Sequence, residues 1–149
     1  MSFDLSQAQK PSIMRRIGAF LYDLMLLVAV LMIALGLIVV PYGVITGGDL
    51  HQHYLFLEQI YLLLVTAGFY VYFWTHGGQT LGMKAWRIQV IRQDGQPVDF
   101  NAAVKRFVWS ILSLIPAGLG LWWSLFNRQG LAWHDSKSNT RVVLLAKSA

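Results

Sequence analysis

Residues 17–40 form an unbroken apolar run of 24 positions in which Asp23 is the only charged side chain, and Arg15 and Arg16 stand immediately before it. About 20 residues at roughly 1.5 Å each cross a hydrocarbon core of about 30 Å, so the run predicts a transmembrane helix. Pro11 and Ser12 provide a helix start ahead of it, which places both arginines on a rigid turn. Pro41, Gly43 and the Gly47-Gly48 pair are expected to end it. Residues 55–74 read as a second span, with Glu58 near its outer end and Tyr54, Tyr61, Tyr70, Tyr72 and Trp74 as interface anchors. Thr66, Ala67 and Gly68 are small enough to let the first helix approach closely. His76, Gly77 and Gly78 then break the helical pattern.

The pattern changes beyond the second span. Trp86, Ile88 and Val90 alternate with Arg87, Gln89 and Ile91, and Asp94-Gly95 follows, which reads as a short amphipathic hairpin with Pro97 limiting the returning strand. Asp99 or Asn101 can cap a helix carrying Lys105 and Arg106. A third apolar segment, residues 107–126, is interrupted by Pro116, Gly118 and Gly120, poor company for one continuous helix. A single crossing would also export a tail holding Arg128, Lys137, Arg141 and Lys147. The expected alternative is a re-entrant pair of half-helices, roughly residues 107–114 and 119–126. Each would reach about 12 Å before returning, its irregular backbone shielded by protein or wetted by a cavity. The β-branched centre of residues 139–145 suits a strand against residues 88–91. The expected architecture is an all-α membrane protein of one domain. Its parts are a polar tail (1–11), span one (12–40), an outer loop (41–54), span two (55–75), a cytoplasmic loop (76–106), the re-entrant segment (107–126) and a cytoplasmic tail (127–149).

Composition agrees with a membrane setting: 56% of residues are hydrophobic, 13% are charged and the mean hydropathy is +0.50, whereas soluble domains carry about 25% charged residues. The first run is longer than a signal-peptide core of about 7–15 residues, and no small-residue cleavage site follows it. The absence of cysteine removes disulfides, thiolate metal sites and cysteine nucleophiles. The net charge of +5 does not require nucleic acid. Its twelve basic residues fall before span one, between residues 76 and 106, and in the tail, while the outer loop holds only Asp49, His51 and His53. This asymmetry places the amino terminus and the tail in the cytoplasm, in the cell inner membrane, with the basic clusters facing the anionic lipids of its inner leaflet.

Asp23 carries the chemical interest. Seven residues separate it from Arg16, close to two turns, so the two share a face; with Arg16 at the water interface, Asp23 would lie about 10 Å deep. A carboxylate there costs about 2.5–3.5 kcal/mol and must be compensated. It reads either as a proton or cation site or as half of a buried pair pinning helix one to the cytoplasmic substructure. Arg16 alongside favours the pin, because a permanent cation keeps the carboxylate ionised. A returning tail would let Asp135 meet Arg16 or Arg106, completing a cluster of two arginines and two aspartates. Other candidates are weaker. His51-x-His53 offers two metal ligands at most; His76 and His134 read as hydrogen-bonded. Ser110, Ser113 and Ser124 have no histidine and carboxylate arranged around them, and Gly77-Gly78 lacks a following GK[ST]. No enzyme, cofactor or metal is expected. Trp122-Trp123 read as interface anchors.

An Arg opening the first span, an Asp seven residues on and a His-Asp-x-x-x-x-Thr near the end together resemble the RDD family of small membrane proteins. Here these are Arg16, Asp23, His134, Asp135 and Thr140, with Gly18, Ala19 and Val142 in support. Gln79-Thr80-Leu81-Gly82-Met83-Lys84 and Asp94-Gly95 resemble the family's loop after the second span, and Arg106 stands where the family carries an Arg before its last apolar segment. The resemblance spans residues 12–143. It implies either exchange of monovalent cations for protons or membership of a larger assembly, both of which are linked to members of the family. Two spans and a re-entrant pair cannot shield a polar pathway from lipid alone, so transport requires a homo-oligomer or a membrane-protein partner. The expectation is therefore cation/proton exchange as an oligomer; the alternative is a non-catalytic accessory subunit of a larger inner-membrane transporter or lipid-handling complex.

Overall fold

The first span is part of a longer helix than the sequence predicts. In the computed structural model, which describes residues 9–47, 55–114, 123 and 131–145, α1 runs Ile13–Thr46, 34 residues or about 51 Å. It passes through Pro41 instead of ending there. Loss of one backbone donor does not stop a helix; termination comes at Gly47, whose left-handed backbone (φ 68°) turns its N–H back onto the Gly43 carbonyl. α2, Leu55–Thr75, returns antiparallel to α1, and the Tyr61 hydroxyl reaches the Ala34 carbonyl at 3.4 Å. Both helices are long and apolar enough to cross a membrane. Met25, Met32, Ile33, Leu37 and Val44 on α1, with Phe56, Leu57 and Leu64 on α2, point outward, an apolar surface far too large for water.

Around the foot of these helices sits a small platform: α3 (Leu81–Ala85), β1 (Ile88–Arg92), α4 (Phe100–Leu114), α5 (Trp133–Lys137) and β2 (Thr140–Leu144). The Asp94-Gly95 turn forms, with the Gln96 N–H donating to Asp94 Oδ1 at 3.1 Å and Gly95 at φ 81°. The hairpin expected from it does not. Pro97 follows too soon for a returning strand, and β1 instead pairs antiparallel with β2, Val90 opposite Val142. Asp99 starts α4 by accepting the Ala102 N–H at 2.8 Å.

Residues 80–92 and 132–144 share one build. Each is a five-residue helix, a two-residue turn and a five-residue strand with the same burial pattern. Arg87 and Asn139 occupy matching turn positions with φ of 54° and 52°. Their carbonyls accept from Leu145 and Gln93, both at 2.9 Å, which tethers each strand's end to the other's beginning. The two units are thus related by a local two-fold axis through the Val90–Val142 pair. Each packs its short helix on a long one, α3 on α1 and α5 on α4.

Ala19, Val71, Trp74, Ile88, Val90, Val98, Ala103 and Val142 form the core where these elements meet. It joins the first turns of α1 to the last turns of α2, so residues 12–23 of α1 stand inside the platform. The excess of α1 over a membrane thickness is this foot. Arg16 and Asp23 both lie in this foot, each buried against the platform. Every described Lys and Arg lies on the platform or in the stretch leading into α1, whereas Glu58 sits at the opposite end of the helices. The first proposed half-helix lies within α4. The second half-helix, residues 119–126, lies outside the described residues except for Trp123, as do Pro116, Gly118, His51 and His53.

Candidate functional site

Two buried carboxylates organise the platform, and each has its own partners. Asp135, fully buried, is in the first turn of α5, where its Oδ2 accepts the Ala132 N–H at 2.9 Å. Arg16 Nη1 from α1 donates to the same oxygen at 2.8 Å, and Arg106 Nη1 from α4 donates to Oδ1 at 2.5 Å. One carboxylate thus ties the first span, the start of the third segment and the tail. Arg106 continues to Thr140 Oγ1 at 2.7 Å, which sits 2.7 Å from the Ser138 hydroxyl, so β2 joins the same network. The Arg106 guanidinium lies over the Trp74 ring, 5.1 Å from its centroid, adding α2. Burial alone would raise the Asp135 pKa; Arg106, His134, Arg16 and the Ala132 N–H more than reverse this and hold it below the ordinary carboxylate range.

Asp23 is not part of this group. Its Oδ2 accepts from Thr80 Oγ1 at 2.5 Å and its Oδ1 from the Gly82 N–H at 2.8 Å. Among the described residues no guanidinium lies within ion-pair distance of it. The four-charge cluster expected from the sequence is therefore three charges, Arg16, Arg106 and Asp135, plus a separate acid. Two turns of helix put Arg16 and Asp23 on one face but about 10 Å apart along the axis, and Arg16 turns to Asp135. Thr80, the N-cap of α3, accepts the Met83 N–H while giving its own proton to Asp23. The carboxylate so extends the cap of α3 from across the interface. Close approach is what allows this. A Cβ on Gly82 would overlap the Ala19 carbonyl and the Asp23 carboxylate, and one on Gly18 would overlap the Trp86 ring.

The sequence alone does not reveal the roles of Thr80 and Gly82. A threonine before a glycine-containing turn signals an N-cap, but a backbone N–H serving a distant carboxylate leaves no mark in residue type. His134, beside Asp135 at 3.6 Å, is driven by burial to a pKa of about 4, with Asp135 opposing and the two arginines reinforcing. It is neutral at pH 7.

This sets a pH dependence. Between about 6.5 and 4 the unfolded imidazole binds a proton that the folded one refuses, so stability is fully present above that window and is lost as pH falls through it. The loss amounts to about 3 kcal/mol over the window. Asp135, held ionised, adds its own loss only below about pH 3.9. Melting in mild detergent should show a midpoint that is flat above pH 7 and falls from 6.5 to 4, and His134→Gln should remove the upper part of the fall. A wild-type midpoint flat across the window contradicts a buried neutral His134.

A sequence model described as the RDD family matches residues 10–139, a span that holds Arg16, Asp23, Thr80, Gly82, Arg106 and Asp135. No curated protein matches the chain, and no solved structure does.

Proposed function

Because the chain belongs to the RDD family, we propose that this integral membrane protein exchanges a monovalent cation for a proton across the cell inner membrane as an oligomer, with Asp23 as the exchanging carboxylate. The observation that carries this reading is the separation of the two acids. Asp135 is clamped between guanidinium groups and cannot change state near neutral pH. Among the described residues Asp23 is held only by a hydroxyl and an amide, neutral donors that a carboxylic acid or a carboxylate with a bound cation can rearrange around. The placement of all described cations at the platform end supports a cytoplasmic amino terminus. The Arg106–Asp135 contact supports the re-entrant reading of residues 107–126, because a single crossing would part the ends of that segment by about 30 Å. The outward apolar faces of α1 and α2 offer the surface on which copies would assemble.

Proteoliposomes loaded with a pH-sensitive dye test the proposal. Imposed sodium or potassium gradients should drive proton movement with the wild-type protein, and Asp23→Asn should abolish it while leaving the amount of inserted, correctly melting protein unchanged. Undiminished exchange by that variant would overturn the assignment. A second reading rests on the same carboxylate: by capping α3, Asp23 fastens α1 to the platform, a purely structural task suited to an accessory subunit of a larger inner-membrane complex. It predicts no exchange by the wild type, co-purification of one stoichiometric membrane partner, and loss of accumulated protein in Asp23→Asn.

A further inference from the structure

α4 buries one side against the platform and leaves the other uncovered. Lys105, Val108, Trp109 and Leu112 recur at the spacing of a single helix face, and Lys105, Val108 and Leu112 are exposed. Along this face the chemistry changes from charged to apolar. Lys105 precedes Arg106, which is fixed against Trp74 in the aromatic last turn of α2, so Lys105 stands level with the end of that apolar helix. Trp109 lies one turn further on. There α5 adds Trp133, whose ring centroid is 6.2 Å from that of Trp109, and Lys137, whose Nζ sits 5.5 Å from the Trp109 centroid. Trp133 is 42% exposed, and Lys137 is exposed too.

We propose that Lys105, Trp109, Trp133 and Lys137 form a seat for the phosphate of an anionic phospholipid, whose acyl chains lie along Val108 and Leu112. Lys105 stands one turn before Trp109 on α4 and Lys137 one turn after Trp133 on α5, so each element brings an ammonium group to the tryptophan pair and a phosphate seated there can be met by two charges. Tryptophan rings are suited to this depth, with one edge apolar and one wet. The apolar stripe below is continuous in character with the lipid-facing sides of α1 and α2, which makes a membrane lipid the fitting occupant. Net negative charge is favoured because no described acid other than the arginine-clamped Asp135 lies on α4 or α5. The site is independent of whether Asp23 exchanges ions.

Native mass spectrometry of the full chain in detergent, titrated separately with phosphatidylglycerol, phosphatidylcholine and inorganic phosphate, tests the seat. Phosphatidylglycerol should be retained preferentially. Each of Lys105→Ala and Lys137→Ala should weaken it roughly fivefold, and both together roughly 25-fold. Lys84→Ala, on the opposite unit, should leave it unchanged. Both lysines are exposed, so the variants should melt like the wild type, and melting is measured alongside. Equal retention of phosphatidylcholine, unaltered retention by the double variant, or displacement of the lipid by inorganic phosphate at matched concentration would each overturn the proposal.

Discussion

Asp135→Asn should destabilise the folded protein by about 3–5 kcal/mol, the usual consequence of removing one member of a buried charge group. The carboxylate is fully buried, and both arginines that meet it are nearly so. Asparagine has one acceptor oxygen for the three donors that Asp135 serves, Arg16, Arg106 and the Ala132 N–H, and its amide would face a guanidinium. Both buried arginines would then lose the negative charge that Asp135 supplies. The loss should appear as a collapsed melting transition in detergent and sharply reduced accumulation in membranes. A companion variant separates loss of charge balance from loss of shape. Replacing Arg16, Arg106 and Asp135 together with Met, Met and Leu removes the charges as a set and should recover part of the stability that the single change forfeits. Wild-type melting by Asp135→Asn would show that the three elements are not joined through this residue.

The meeting of Asp135 with two arginines is legible in the sequence because an apolar chain offers few acids, and arginines beside membrane segments demand one. The partner of Asp23 is not legible. Helical spacing states which face a residue occupies and is silent about which of two neighbours a guanidinium will choose. The hydroxyl of Thr80 and the N–H of Gly82 compete for Asp23 without any charge to advertise them. The sheet divides in the same way. The pairing of residues 139–145 with residues 88–91 is legible and forms, whereas the Asp94-Gly95 turn points to a local hairpin that does not. What outweighed it is the repeated unit, with Val90 and Val142 facing each other at its axis. The basic pairs Arg15-Arg16 and Lys105-Arg106 lie outside the repeated units, on the long helices α1 and α4. In each pair the second member reaches Asp135. Pro41 misled for a simpler reason: its composition signal belongs to helices in water, and a helix in lipid has no alternative hydrogen-bonding state to break into.

Gly82→Ala should be strongly destabilising although the glycine is helical. In an ordinary helix this change stabilises by up to about 1 kcal/mol, so the sign of the effect is itself informative. At Gly82 the new Cβ would overlap the Ala19 carbonyl, which is backbone of α1 and cannot swing aside, and the Asp23 carboxylate. Relief requires α3 to lift from α1, which breaks both hydrogen bonds to Asp23 and leaves a buried carboxylate without donors. Overpacking and the lost donors together should destabilise by about 2–5 kcal/mol. Gly36, in the middle of α1 with nothing near the added atom, is the matched control: Gly36→Ala should be neutral or stabilising. Chemical or thermal unfolding of the two variants in the same detergent reads the difference directly. Equal stability for both would mean that α3 does not rest on α1, and the foot of the first helix would then lack the contact that satisfies Asp23.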